Sequence, residues 1–128
     1  MEESILTSTK KALGLAGDYT AFDHDIIVYI NSALTSLNQL GVGPTTVFSI
    51  EDSVAVWADL GVAESELGIV KTYLYLKVRM LFDPPTTSFL LDAIGKQITE
   101  HEWRLSNFRE SNIDPYYNSV TEESEVIL

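Results

Sequence analysis

The sequence has no cysteine, two histidines, and eight lysine and arginine residues in a chain of 128. Without cysteine there is no disulfide, no thiolate nucleophile and no thiolate ligand for a metal, so stability must come from packing or from partners. Eight bases against nineteen acids give a net charge of −11 and a pI near 4.3. That balance opposes docking on a nucleic-acid backbone or an anionic membrane. No apolar run reaches the ~20 residues of a membrane span, and residues 1–17 lack a basic start followed by an apolar core. Synthesis in the cytoplasm is therefore expected, with no membrane partner. What the chain does have is enough apolar material for one domain: 45% hydrophobic and 21% charged residues, an ordinary globular balance that excludes global disorder.

The parts of a catalytic site are missing. His101 opens the fragment HEWRL like a zincin helix, but Leu105 stands where the second ligand is required. Asp23, His24 and Asp25 place two carboxylates beside an imidazole. Three consecutive residues point in different directions, however, and acids belong at a helix start for electrostatic reasons. Gly14 and Gly17, like Gly41 and Gly43, lack the spacing of a phosphate-binding loop, and no Gly-x-Ser-x-Gly elbow occurs. The aromatics do not interleave with a basic cluster, so a single-strand-binding surface is not indicated. These observations predict no enzyme, no metal and no cofactor.

Periodicity predicts helices. A short first helix is expected within Ser4–Leu15, followed by a turn around Gly14, Gly17 and Asp18. A second runs from an Asp23 N-cap to Leu40 on the stripe Ile26, Ile30, Ala33, Leu37 and Leu40, widened by Ile27 and Leu34, with Gly41 as its left-handed stop. The stretch Thr45–Ile50 favours an extended arm, either a hairpin or a loop, within about residues 43–52. Ser53 is expected to cap a short helix through Val54, Val56, Trp57 and Leu60, closed by Gly61. A long helix is expected over Glu64–Phe82, with Leu67, Val70, Leu74, Val78 and Leu81 inward, stopped by Pro84 and Pro85 through the steric restriction on Asp83.

The last predicted helix spans Ser88 to about Phe108, with Leu91, Ile94, Ile98, Leu105 and Phe108 inward and Leu90 alongside. Glu100 and Arg104 form a favourable i, i+4 pair, and Gly95 suggests a close helix crossing. The fold class is thus all-α: a small antiparallel bundle of four to five helices, with an arm after the second and an extended C-terminal tail. Residues 1–110 form the helical domain and 111–128 the acidic tail. Of the net charge, −6 lies up to Arg109 (eight bases, fourteen acids) and −5 in the nineteen residues beyond it.

The tail is energetically under-supplied. Eighteen residues reach roughly 60 Å when extended, while burying Val126, Ile127 and Leu128 returns at most about 1.5–3 kcal/mol each against at least ~1 kcal/mol of ordering cost per residue. Such a tail is expected to order only on a partner, by strand addition or multivalent docking. Tyr116 and Tyr117, beside Pro115, read as contact residues, whereas Trp57 reads as core. The interaction candidates are therefore Val47, Phe48 and Ile50 in the arm and Tyr116, Tyr117, Val126, Ile127 and Leu128 in the tail.

Over residues 4 to 108 the chain resembles the small head-tail connector proteins, or adaptors, of long-tailed bacteriophages. The residues that carry the resemblance are DHDIIVYINSALTSLNQLGVG, FSIEDSVAVWADL and VKTYLYLKVRMLFDPP, followed by FLLDAIGKQITEHEWRL. It implies a structural virion protein of the neck: a homo-oligomeric ring, usually of twelve copies, beneath the portal protein and facing a stopper or other tail component. Genomic DNA would pass through the ring without specific binding. It further implies that the C-terminal extension and the loop between helices contact neighbouring subunits and the portal. Two other readings follow from the residues alone. A soluble acidic module, regulator or DNA mimic needs carboxylates on one face, but here they scatter over helix starts, turns and tail. An enzyme needs His24 or His101 beside a carboxylate in a pocket.

Overall fold

In the computed structural model of the chain, residues 3–113 are described, and for residues 108–113 the backbone only. Four α-helices follow one another: α1 (Ile5–Ala12), α2 (Asp23–Gln39), α3 (Glu64–Phe82) and α4 (Ser88–Ile113). A 3₁₀ turn at Trp57–Leu60 lies between α2 and α3. Among the described residues the one β-type pairing is an isolated antiparallel bridge between Ser4 and Val56. The all-α bundle expected from periodicity is thus the observed fold.

α3 is the central helix. Val70, Tyr73, Leu74 and Val78 are fully buried along it, facing Ile26, Ile30, Ala33 and Leu37 of α2. Phe22, just before α2, meets Phe82 at the end of α3 edge to face at 5.3 Å. The Tyr73 hydroxyl donates to Glu102 Oε2 of α4 over 2.8 Å. These pairings run α2 and α4 antiparallel to α3. Burial, reinforced by the neighbouring Glu102 carboxylate, holds the Tyr73 phenol well above its ordinary pKa, so it remains a proton donor.

Eight residues are too few for a stable isolated helix, and α1 is held by its surroundings. Ser4 Oγ accepts from the Thr7 amide (2.8 Å), Ile5 and Leu6 are buried, and the Ile5 amide donates to the Ala55 carbonyl (2.9 Å). The aliphatic stem of Lys10 runs through the core. Its buried ammonium donates to the Gly17 carbonyl (2.9 Å) and sits 2.8 Å from Asp23 Oδ1. That oxygen is buried and outside hydrogen-bond alignment with the ammonium, so the attraction is chiefly coulombic. Asp23 is the first residue of α2 and not its cap, which is Phe22. Its charge is committed to α1.

Several expectations are corrected by packing. The segment around Ser53 does not form a capped α-helix. Val54–Val56 stay outside any helix, and the 3₁₀ turn opens at Trp57, where Asp59 Oδ2 accepts from the Val56 amide (3.0 Å). Ile5 and Ser4 claim the backbone of Ala55 and Val56 for the bridge, which a helix there would have consumed. Leu81 (48% exposed) and Leu90 (47%) point outward at the α3–α4 turn. A Cβ at Gly95 would meet nothing within 4 Å, so that glycine marks no close crossing. α4 continues past Phe108 to Ile113. Trp57 is core, as expected: its indole Nε1 donates to Ser8 Oγ (2.9 Å), and its ring meets Tyr75 edge to face.

Replacing Lys10 by Met is expected to lower unfolding free energy by about 1–3 kcal/mol, below the 3–5 kcal/mol of a fully buried pair because Asp23 is partly solvated. Adding Asp23→Asn should recover part of that loss, as read by urea denaturation. Glu66, buried in the first turn of α3, has its carboxyl raised above the usual range by desolvation. The folded state therefore prefers the proton, and the charged form carries a penalty that is present above the folded pKa and disappears as pH falls below the unfolded one. Glu66→Gln is expected to raise the melting temperature at neutral pH, by an amount equivalent to less than about 1 kcal/mol. The gain should vanish through the acidic carboxylate range.

Candidate interaction surfaces

The arm leaves α2 through Leu40, and Gly41 (φ 86°) and Gly43 (φ 89°) both adopt left-handed backbone. At Gly43 the left-handed backbone strains any other residue, and an added Cβ would stand 3.3 Å from Leu60 Cδ1, so that methyl would have to shift. Beyond it, two asparagines of α2 take hold of the chain. Asn38 Nδ2 donates to the Pro44 carbonyl (3.1 Å). Asn31 Nδ2 donates to the Ile50 carbonyl (3.0 Å), while Asn31 Oδ1 accepts from the Ile50 amide (2.8 Å). The Asn31 carboxamide thereby copies the two hydrogen bonds of a neighbouring β-strand, satisfying backbone groups that burial of Ile50 would otherwise leave unpaired.

The two anchors are closer together than the chain between them. Seven helical residues from Asn31 to Asn38 rise about 10 Å, whereas six extended residues from Pro44 to Ile50 would cover about 20 Å. The surplus bows outward as a loop, not a hairpin, and Thr45, Thr46, Val47 and Ser49 are exposed on it.

The arm candidates therefore separate. Val47 is 53% exposed, Phe48 packs partly against the core, and Ile50 is 3% exposed and belongs to the core. Val54, just beyond the arm, is 78% exposed and adds a second apolar position there. Tyr116, Tyr117, Val126, Ile127 and Leu128 lie outside the described residues. Of the tail expected from residue 111, residues 111–113 are the last residues of α4. Sequence reasoning missed Asn31 and Asn38. Their signal is a pair of carboxamides two turns apart on a helix that ends in a Gly-x-Gly-Pro turn.

The histidines are not brought together. His24 is exposed at the start of α2 and His101 stands on α4 with Nδ1 2.7 Å from the Gln97 carbonyl. Cavities near the arm are shallow: one of about 200 Å³ lies between Asn38 and Gly43–Thr45, another of about 330 Å³ beside Trp57, Val62 and Leu67. No described helix is long and apolar enough to cross a membrane.

Asn31→Ala is expected to cost about 1–3 kcal/mol by stripping both partners from a buried peptide. Hydrogen exchange at the Ile50 amide should accelerate in that variant, whereas Val47→Ser should leave both melting and exchange unchanged.

No curated protein and no solved structure matches the chain. A family model, that of the phage connector protein, matches residues 5–112. The match begins on the first residue of α1 and ends one residue short of the end of α4, taking in every helix described above. Matched over residues 5–112 of its 128, the chain belongs to the phage connector protein family.

Proposed function

We propose that the chain is a head-tail connector subunit of the virion neck. Copies of it form a ring, of twelve in the usual arrangement, beneath the portal protein, and the ring joins the DNA-filled head to a stopper or other tail component. The observation that carries this reading is the family match over residues 5–112. The architecture supports it: a helical bundle displays a bowed loop with Val47 at one end, and α4 is described as far as Ile113, where the C-terminal segment begins in the sequence. The C-terminal segment, with Tyr116, Tyr117, Val126, Ile127 and Leu128, and the exposed part of the arm are the contacts to neighbouring subunits and the portal. The role is structural, without catalysis or a cofactor.

The charge suits the role. A subunit at −11 repels phosphates over a Debye length of about 8 Å at physiological salt, so a passing genome is not gripped. The exposed carboxylates at Asp18, Asp25, Glu51, Asp52, Glu64 and Glu100 are distributed over several elements, which favours a connector over a DNA mimic.

A truncation after Ile113 tests the assignment of the C-terminal segment. Helicity and melting temperature are expected to stay nearly unchanged, while DNA-filled heads supplied with the truncated protein fail to join tails. Normal infectious particles from the truncation would sink it.

A further inference from the structure

Five of the nine large hydrophobic side chains exposed among the described residues lie at one end of the bundle. They are Tyr19 and Phe22 ahead of α2, Leu81 at the close of α3, and Phe89 and Leu90 at the start of α4, with exposures between 39% and 79%. Scattered apolar side chains are ordinary on a surface, whereas several gathered at one end mark a contact. The rings are continuous: Phe22 meets Tyr19 at 5.8 Å and Phe82 at 5.3 Å, both edge to face. The antiparallel course of α3 and α4 brings Phe89 and Leu90 to the same end as Leu81.

The rim of this end is acidic. Asp18, Asp25 and Asp83 are exposed, and none is in an ion pair among the described residues. Of the bases nearby, Lys10 pairs with Asp23 and Lys96 with Asp92, while Arg79 donates through Nε to the Asp83 carbonyl and keeps its charge, so the rim sets three carboxylates against one guanidinium. A two-fold contact between copies through this face would set Asp18, Asp25 and Asp83 against their own counterparts, which disfavours self-association here. The arm lies at the far end of α2, and α4 runs about 39 Å from the aromatic end over its 26 residues. The arm and the last described turn of α4 thus lie opposite the aromatic end.

We propose that the aromatic end seats a non-identical protein of the neck, the tail-side component, through an apolar surface bordered by lysine and arginine. The proposal rests on the connector reading. It divides the labour between the two ends: the arm and C-terminal segment face sister subunits and the portal, and the aromatic end faces the next component along the DNA path.

The test uses the full chain with Leu81→Ser and Phe89→Ser combined, two exposed positions whose loss leaves the core untouched. Three quantities are measured: thermal melting, binding of the protein to purified DNA-filled heads that lack it, and joining of purified tails to those loaded heads. Melting and head binding are expected to match the unsubstituted protein, while tail joining falls about tenfold or more, the loss expected from one large apolar contact. Leu81→Met with Phe89→Leu should restore joining, and Asp18→Lys with Asp25→Lys should weaken it. Unchanged tail joining in the serine variant would overturn the proposal, and so would loss of head binding, which would give this end to the portal or to sister subunits. Failure of the unsubstituted protein to bind such heads at all would instead overturn the connector reading itself.

Discussion

The register of the three long helices turns on one buried phenol. Tyr73 is fully enclosed on α3, and its hydroxyl needs a partner there, because an unpaired buried O–H costs about 1–3 kcal/mol. Glu102 of α4 supplies the acceptor, and Ser36 of α2 reaches the same oxygen. A slide of α4 by one turn, about 5.4 Å, would carry the Glu102 acceptor out of reach. Apolar contacts along Val70, Leu74 and Val78 supply most of the stabilisation but tolerate sliding. The polar contact removes that freedom.

With the helices fixed, the remaining chain is tied down by side chains acting on backbone. Lys10 holds the turn at Gly17 and the start of α2, Trp57 hangs on Ser8, and Asn31 and Asn38 hold the arm. Each tie spans elements that apolar burial alone would leave loosely placed. Stapling by polar contacts of this kind is what a chain without disulfides has available.

Much of this architecture was legible in the residues. The bounds of α3 follow from an uninterrupted apolar stripe and a double-proline stop, and the observed helix ends at Phe82, just before Asp83 and the prolines. α2 and the left-handed Gly41 were readable for the same local reasons. Less legible was whatever depends on distant partners. Asp23 looked like a cap because the buried ammonium that claims it lies thirteen residues earlier. The helix expected after Ser53 is displaced by a bridge to Ser4. Leu81 and Leu90 fit an inward stripe by spacing, but they fall where the bundle ends and no neighbour remains to cover them. Ile50 looked like a contact residue because an extended apolar run carries no sign of which member is clamped inward. Only the carboxamide on α2 decides that.

The bowed arm has an evolutionary corollary. Its two tethers stand nearer to each other than the intervening backbone is long, so the helices never feel how many residues the bow contains. Insertions or deletions between Thr45 and Ser49 alter the height of the projection and leave the bundle's geometry alone. A lineage can thus refit its protruding edge to a changed neighbour by indels, on a scaffold that needs no compensating substitutions.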